Sequence, residues 1–341
     1  MSYTTRQRWR SRLRSGGLEM HYQPLLCLRT GEVVKVEALA RLRDAGKLMF
    51  PGDFFPVLLP EDFIEMYARG LEQALTHRAD WLARGHDIGL SFNLPSSALV
   101  DSRYYDITEH VLEKHGCPAH VLTLELLETD EVPTSVDVLG ELQRFRNLGV
   151  GLAEDDLGSG YSSLERLREM PFDIVKIDRS IVRRADQDMS NTLRFIYQLT
   201  RLGHSLGKNV VVEGIEDEGL LEAIAMLGAD IVQGYVVSRP VDSPSLMEWL
   251  ETYEPPAAPD RHAPRSFAAK LARLLVWEEH LHLLLEEQEA VQVEINRDLP
   301  FERVDVTVQR NLINAAKRYR IGSREYQRVR QQLVEVLAAE R

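Results

Sequence analysis

The sequence predicts an α/β fold: a TIM-like (β/α)8 barrel whose first two strands form an antiparallel hairpin, followed by a small helical C-terminal module. Three observations carry this. Short β-prone runs alternate with helical blocks from Leu18 onward, the pattern of parallel strands joined by helical crossovers. The first two runs are separated only by Arg29-Thr30-Gly31-Glu32, too little chain for anything but a hairpin. After Trp249 the text turns proline-rich and then helical.

Taken in order, residues 1–17 form a lead-in in which arginine alternates with other residues (Arg6, Arg8, Arg10, Arg12, Arg14). Such a pattern suits a lipid-facing patch, the end of a linker from an upstream sensor, or a solvated segment, and the last is preferred. The hairpin pairs Leu18–Leu28 with Val33–Leu39. Six further runs follow at Ile88–Leu94, Val121–Leu126, Val150–Ala153, Ile174–Ile177, Val210–Val212 and Ile231–Val232, which with the hairpin makes eight strands. Apolar residues spaced by three and four mark helices over Asp62–Leu82, Val136–Leu148 and Thr192–Leu206. The barrel is expected over 18–253, a linker over 254–265 that begins Glu254-Pro255-Pro256, and a helical module over 266–341 with a break at Pro300.

Composition narrows the function classes. A chain of 341 residues, 44% hydrophobic, suffices for one large core and a smaller one. A formal net charge of −12 argues against a nucleic-acid polymer as partner, because phosphate backbones are repelled; a phosphate substrate would need metal ions. Cys27 and Cys117 fit no ligand or redox spacing and are expected as reduced core thiols in a cytoplasmic protein. No apolar run approaches the ~18–20 residues needed to span a bilayer, and no signal peptide is evident.

The chemistry is positional. Nearly every predicted strand ends in, or runs into, a polar residue: Glu37, Asn93, Glu125, Asp155 with Asp156, Lys176, Glu213 and Gln233. In β/α barrels the strand C-termini share one face, so these groups should converge there. So many carboxylates would raise one another's pKa unless cations neutralised them, and oxygen ligands with one amide favour Mg²⁺ or Mn²⁺ over zinc. Two such ions about 3.5–4 Å apart can clamp the attacking and leaving oxygens of a phosphoryl displacement.

The segments Tyr22-Gln23-Pro24, Val36-Glu37-Ala38-Leu39-Ala40-Arg41, Asn93, Leu124-Glu125-Leu126-Leu127-Glu128, Asp155-Asp156-Leu157-Gly158-Ser159-Gly160-Tyr161-Ser162-Ser163-Leu164, Lys176-Ile177-Asp178, Glu213-Gly214-Ile215-Glu216 and Gln233-Gly234-Tyr235 together resemble the EAL family of cyclic di-GMP phosphodiesterases over Leu18 to Tyr253. A Glu-Ala-Leu triplet alone says little; the shared order of the motifs is what is specific. The resemblance implies that Glu37, Asn93, Glu125 and Asp155 hold one metal ion, and that Asp155 and Asp156 serve a second. It implies that Lys176 and Glu213 flank the attacking water, that Gln233 places substrate or water, and that Arg41 contacts phosphate. Glu128 would anchor the loop from Asp156 to Ser163, Glu216 would support the site from behind, and a homodimer would couple to that loop. Departures from the family pattern fall at Pro95, Leu157 and Ser159, where Ser, Phe and Thr are common; none is a metal ligand. Glu154, beside the acid pair, is expected to be ion-paired rather than a ligand.

In the tail, Trp277, His280 and His282, followed by Glu286, Glu287 and Glu289, invite a metal or haem reading, but polar helix faces routinely carry such residues; dimerisation or signal relay is preferred. Three functions follow in order: an active phosphodiesterase giving linear pGpG, a catalytically silent cyclic di-GMP receptor or relay module, and a barrel enzyme for another phosphate ester. Retention of the whole ligand set favours the first.

Overall fold

The computed structural model describes residues 3–126, 137–158, 164–255, 264–286, 301, 304, 306–319 and 321–339. Its sheet has nine strands: β1 (Leu18–Cys27), β2 (Val33–Asp44), β3 (Lys47–Met49), β4 (Gly89–Leu94), β5 (Leu122–Leu126), β6 (Gly151–Leu157), β7 (Ile174–Ile177), β8 (Asn209–Glu213) and β9 (Ile231–Gln233). Their order is β1-β9-β8-β7-β6-β5-β4-β2-β3, and β1 also pairs with β2, so eight strands close into a barrel with β3 outside it. β1 runs antiparallel to both neighbours, setting Gln23 opposite Glu37 and Leu25 opposite Gln233; β2 and β4–β9 run parallel. The antiparallel hairpin expected from the short Arg29–Glu32 connection is therefore present, and the same reversed strand completes the barrel.

Two strands run further than their apolar cores suggest. β6 continues from Ala153 to Leu157, where Leu157 pairs with Ile177 of β7; the register shifts between Glu154 and Leu157, so Asp155 and Asp156 lie in an irregularity of the ladder. β2 continues past Leu39 to Asp44, turns at Ala45 and Gly46, both with positive φ, and returns as β3. That tight turn matches the right-handed twist of a hairpin. It carries Leu48, Phe50 and Pro51 to one side of the strand C-termini.

Helices Pro60–Ala83, Arg103–His115, Val138–Leu148, Ala185–Ser205, Glu218–Leu227 and Ser243–Thr252 surround the sheet. The core lies between them and the outward-facing strand residues, with Leu90, Leu124, Leu152, Val175, Val210 and Val212 fully buried. Inside the barrel, Leu25, Ala153, Ile174 and Val211 form an apolar plug. Each parallel-strand member of it precedes a predicted site residue by two, so the period of the strand raises Asp155, Lys176 and Glu213 directly above it.

The termini are less detached than the text suggested. Residues Tyr3–Arg12 are helical, and Trp9 and Leu13 bury against Leu42, Met49 and Phe54. Arg8 pairs with Asp44, while Arg10 and Arg14 both pair with Asp62, which is wholly buried. Three of the five alternating arginines thus clamp onto buried carboxylates and Arg12 donates to Arg43 O, which corrects the solvated reading of this segment. At the other end, helix Phe267–Glu286 places Ala268, Leu271, Ala272 and Leu275 in the barrel's own outer core, and Glu222 accepts the backbone N–H groups of Arg265 and Ser266 at 2.9 Å each. Helices Val306–Arg318 and Arg324–Ala339 pack on its far side around Leu312, Tyr326 and Leu333. Glu278 is buried there, accepting from Tyr326 Oη at 2.7 Å and Arg330 Nε at 2.8 Å. Trp277 is half-buried and His280 exposed; His282, Glu286, Glu287 and Glu289 have no described side chains. Cys27 and Cys117 are unpaired and only half-buried, so neither is the core thiol expected. Among the described residues no helix is long and apolar enough to cross a membrane.

Candidate active site

Parallel strands deliver Glu37, Asn93, Glu125, Asp155, Lys176, Glu213 and Gln233 to one end of the barrel. Lys176 is the hub. Its Nζ lies 2.6 Å from Glu213 Oε1, 2.7 Å from Glu125 Oε2, 3.2 Å from Asp155 Oδ1 and 3.8 Å from Glu37 Oε2. Glu37 accepts from Asn93 Nδ2 at 3.0 Å and from Gln233 Nε2 at 2.7 Å; Gln233 Nε2 also reaches Gln23 Oε1 at 3.2 Å. Sequence-distant residues thus meet because neighbouring strands of the same barrel carry them to one end.

Three buried carboxylates and the half-buried Glu213 share one ammonium, and the titration behaviour reflects the imbalance. Burial pushes Glu213 up to about 8 and Glu125 up to about 7; Lys176 pulls both back, and neighbouring carboxylates push both further up. Burial also opposes the charge on Glu37, but Lys176 and the amides of Gln233 and Asn93 outweigh it and hold this carboxyl below its ordinary value. Lys176 is itself held well above the usual lysine range: burial works against its charge, and the surrounding carboxylates more than compensate.

The donor set fits hard divalent cations. Asp155 Oδ1 and Gln233 Oε1 are buried acceptors without a hydrogen bond, and the carboxylates outnumber the cationic charge beside them. Among the described residues the carboxylates are gathered on Lys176 and form no cluster of three or more ready for a metal ion. Glu37, Asn93, Glu125 and Asp155 are the side chains from which such a cluster would be assembled. Asp156 follows Asp155 on β6, but its side chain lies outside the described structure. Glu128, and most of the Asp156–Ser163 loop, also lie outside the described residues. Glu154 is buried and paired to Arg166 at 3.0 Å, the ion-paired role expected of it.

Above the acids opens a cavity of about 590 Å³, lined by Glu37, Glu213 and Gln233 on its floor and by basic and aromatic groups on its walls. Arg41 is buried at its edge, its guanidinium 4.9 Å from the Phe50 ring centroid, with Nη1 donating to Ala40 O at 2.9 Å and Nε unpartnered. Burial lowers its pKa, with Glu37 opposing that effect. Arg239 stacks over Tyr235 at 4.0 Å, and Arg179, Arg183 and the exposed Glu216 complete the rim. Two glycines bring this wall close. A Cβ on Gly214 would stand 2.4 Å from Arg179 Cβ, and one on Gly234 would stand 2.0 Å from Ile215 O, so only glycine lets these segments touch.

Every described site residue read from the sequence lies at this end of the barrel. Sequence reasoning did not single out Gln23, Phe50, Arg179, Arg183, Tyr235 or Arg239 as site residues. Gln23 and Tyr235 stood inside quoted motifs, and Arg179 directly follows Lys176-Ile177-Asp178; Phe50 gave no signal, since β3 places it.

Fold and site together define a β/α barrel with an acidic, cation-demanding centre at the strand C-termini beneath a basic, aromatic cavity. The sequence model of the EAL domain matches residues 6–240, and the chain belongs to that family. It is 34% identical over 265 residues to "Cyclic di-GMP phosphodiesterase NbdA" of Pseudomonas aeruginosa, covering 73% of this chain and 32% of that protein. To "Cyclic di-GMP phosphodiesterase RocR" of the same species it is 30% identical over 239 residues, covering 70% of this chain and 61% of that protein. The chain thus spans less than two thirds of either relative. Its fold matches the solved PaMucR phosphodiesterase in complex with c-di-GMP with a TM-score of 0.64 at 30% identity, covering 70% of this chain and 97% of the other.

Proposed function

We propose that this chain hydrolyses one phosphodiester of cyclic di-GMP, releasing linear pGpG, with two Mg²⁺ or Mn²⁺ ions held by the acid cluster. The observation that carries the proposal is the pairing of four carboxylates, three of them buried, around a single lysine with an arginine-lined cavity directly above. Membership of the EAL family and similarity to proteins named for this activity support the same reading.

Divalent ions, when bound, supply positive charge against the phosphate and lower the pKa of water. The chain's own groups do the rest. Glu213 keeps 17% of its side chain exposed whereas Glu125 keeps 1%, so a water entering from the cavity meets Glu213 first. With Lys176 at 2.6 Å, that carboxylate can orient the water and accept its proton. Arg41 lines the cavity beside Phe50, and its guanidinium, whose buried Nε has no partner, would turn to meet a phosphate oxygen. Gln233 fixes Glu37 and has a free Oε1 for a water or substrate hydroxyl. Asp156, Glu128 and Glu216 are assigned supporting roles at the second ion, the loop and the rim, and a homodimer is the assembly in which that loop would be tuned.

The test is hydrolysis of cyclic di-GMP by wild type and Glu37→Ala, with and without Mg²⁺ or Mn²⁺. Metal-dependent formation of pGpG by wild type alone is expected. Binding without turnover by the metal-loaded wild type would make the chain a receptor instead.

A further inference from the structure

The mechanism leaves one interior charge unused. Lys35 lies two residues before Glu37 on β2, so it faces the barrel interior directly below the acids. The corresponding positions two residues below Asn93, Glu125, Asp155, Lys176, Glu213 and Gln233 are Ser91, Thr123, Ala153, Ile174, Val211 and Ile231, all uncharged. Lys35 is the one ionisable side chain in that layer.

Its path is shaped for it. Register sets Lys35 beside Gly89 on β4, and a Cβ on Gly89 would already stand 3.4 Å from Lys35 Cε. The missing side chain lets the lysine cross β4 and donate from Nζ to Thr123 Oγ1 on β5, two residues below Glu125. Burial lowers the pKa of this ammonium, while Glu125 above it and Asp173 favour its charge and Lys176 opposes it. A second cavity of about 570 Å³, at the opposite end of the barrel and lined by Lys35, Asn209 and Asp230, gives the ammonium access to water.

We propose that Lys35 is a positioning residue acting by charge: an internal counter-ion that steadies the ion-free acid cluster from beneath and weakens its grip on divalent cations. The inference rests on the divalent-cation reading of the site. An ammonium below the cluster attracts the carboxylates when no ion is bound and repels any cation that enters, so its removal must shift the two states in opposite directions.

The test uses the full chain stripped with EDTA. Mn²⁺ and Mg²⁺ are titrated calorimetrically into wild type, Lys35→Met and Thr123→Val, and thermal midpoints are read in EDTA. For Lys35→Met, or Lys35→Gln if the first does not fold, the dissociation constant is expected to fall roughly three- to tenfold while the EDTA midpoint also falls. Thr123→Val, which removes the hydrogen bond and keeps the charge, should lower the midpoint and leave ion affinity within about twofold of wild type. Unchanged or weaker ion binding by folded Lys35→Met or Lys35→Gln overturns the proposal alone. Absence of ion binding by wild type as well overturns the divalent-cation reading and the proposal with it.

Discussion

Gln233 Nε2 stands 2.7 Å from Glu37 Oε2 although β1 runs between their strands. The contact spans the reversed strand and, through Gln23, includes it. Glu37 is thereby fixed by neighbours on both sides, whereas Glu125 and Glu213 depend on Lys176. The cluster's carboxylates are not equivalent, and substitutions should separate them.

Glu213→Gln is expected to abolish most turnover while raising the thermal midpoint of the ion-free protein above pH 7, because it removes a buried charge that its surroundings disfavour. Glu37→Gln should abolish turnover and lower the same midpoint, because that charge is favoured. Calorimetric scans in EDTA at pH 8 distinguish the two.

The pH dependence follows from the same asymmetry. Glu213 and Glu125 have folded-state pKa values raised to about 8 and about 7, so between the ordinary carboxylate value of 4.5 and pH 8 the folded protein binds more protons than the unfolded chain. Stability of the ion-free protein must then fall as pH rises through that window. Saturating Mg²⁺ should flatten the fall. Thermal unfolding at pH 5.5, 7 and 8.5, in EDTA and in Mg²⁺, reads both effects.

Lys176→Met leaves Glu37, Glu125, Asp155 and Glu213 without their shared cation. Breaking a buried ion pair by removing one partner costs about 3–5 kcal/mol, so the ion-free variant should be destabilised on that scale in urea unfolding. Added Mn²⁺ should restore most of the loss without restoring turnover.

Arg41→Lys keeps the charge and loses the planar fork that lies against Phe50. Steady-state kinetics should show KM for cyclic di-GMP raised by about tenfold, the scale of one charge-assisted hydrogen bond, with a smaller change in kcat.

Away from the site, Glu278→Ala strands Arg330, which is buried and pairs with it at 2.8 Å. A loss of about 3 kcal/mol is expected in urea unfolding, confined to a transition involving the C-terminal helices.

The sequence made the parallel strands and their terminal side chains legible because a short apolar run followed by a carboxylate, amide or lysine has few other uses. What it hid was set by tertiary contact. β3 exists because β2 outruns the barrel; Lys47–Met49 has no pattern of its own. Trp9 and Leu13 do stand four apart among the arginines, a helical spacing that could have revealed the docked lead-in, but the burial of Asp62 that anchors it could not be read. Helix 267–286 looked like the start of a separate module, and its small residues instead fill the barrel's outer core. Lys35 was not singled out from the sequence, because what distinguishes it is the register that places Gly89 beside it.

Anomalous diffraction from crystals grown with Mn²⁺ tests the central claim most directly. Manganese peaks among Glu37, Asn93, Glu125 and Asp155 are predicted, with Lys176 displaced from at least one of these carboxylates. A map without such peaks, with Lys176 still bridging Glu125 and Glu213, would contradict it.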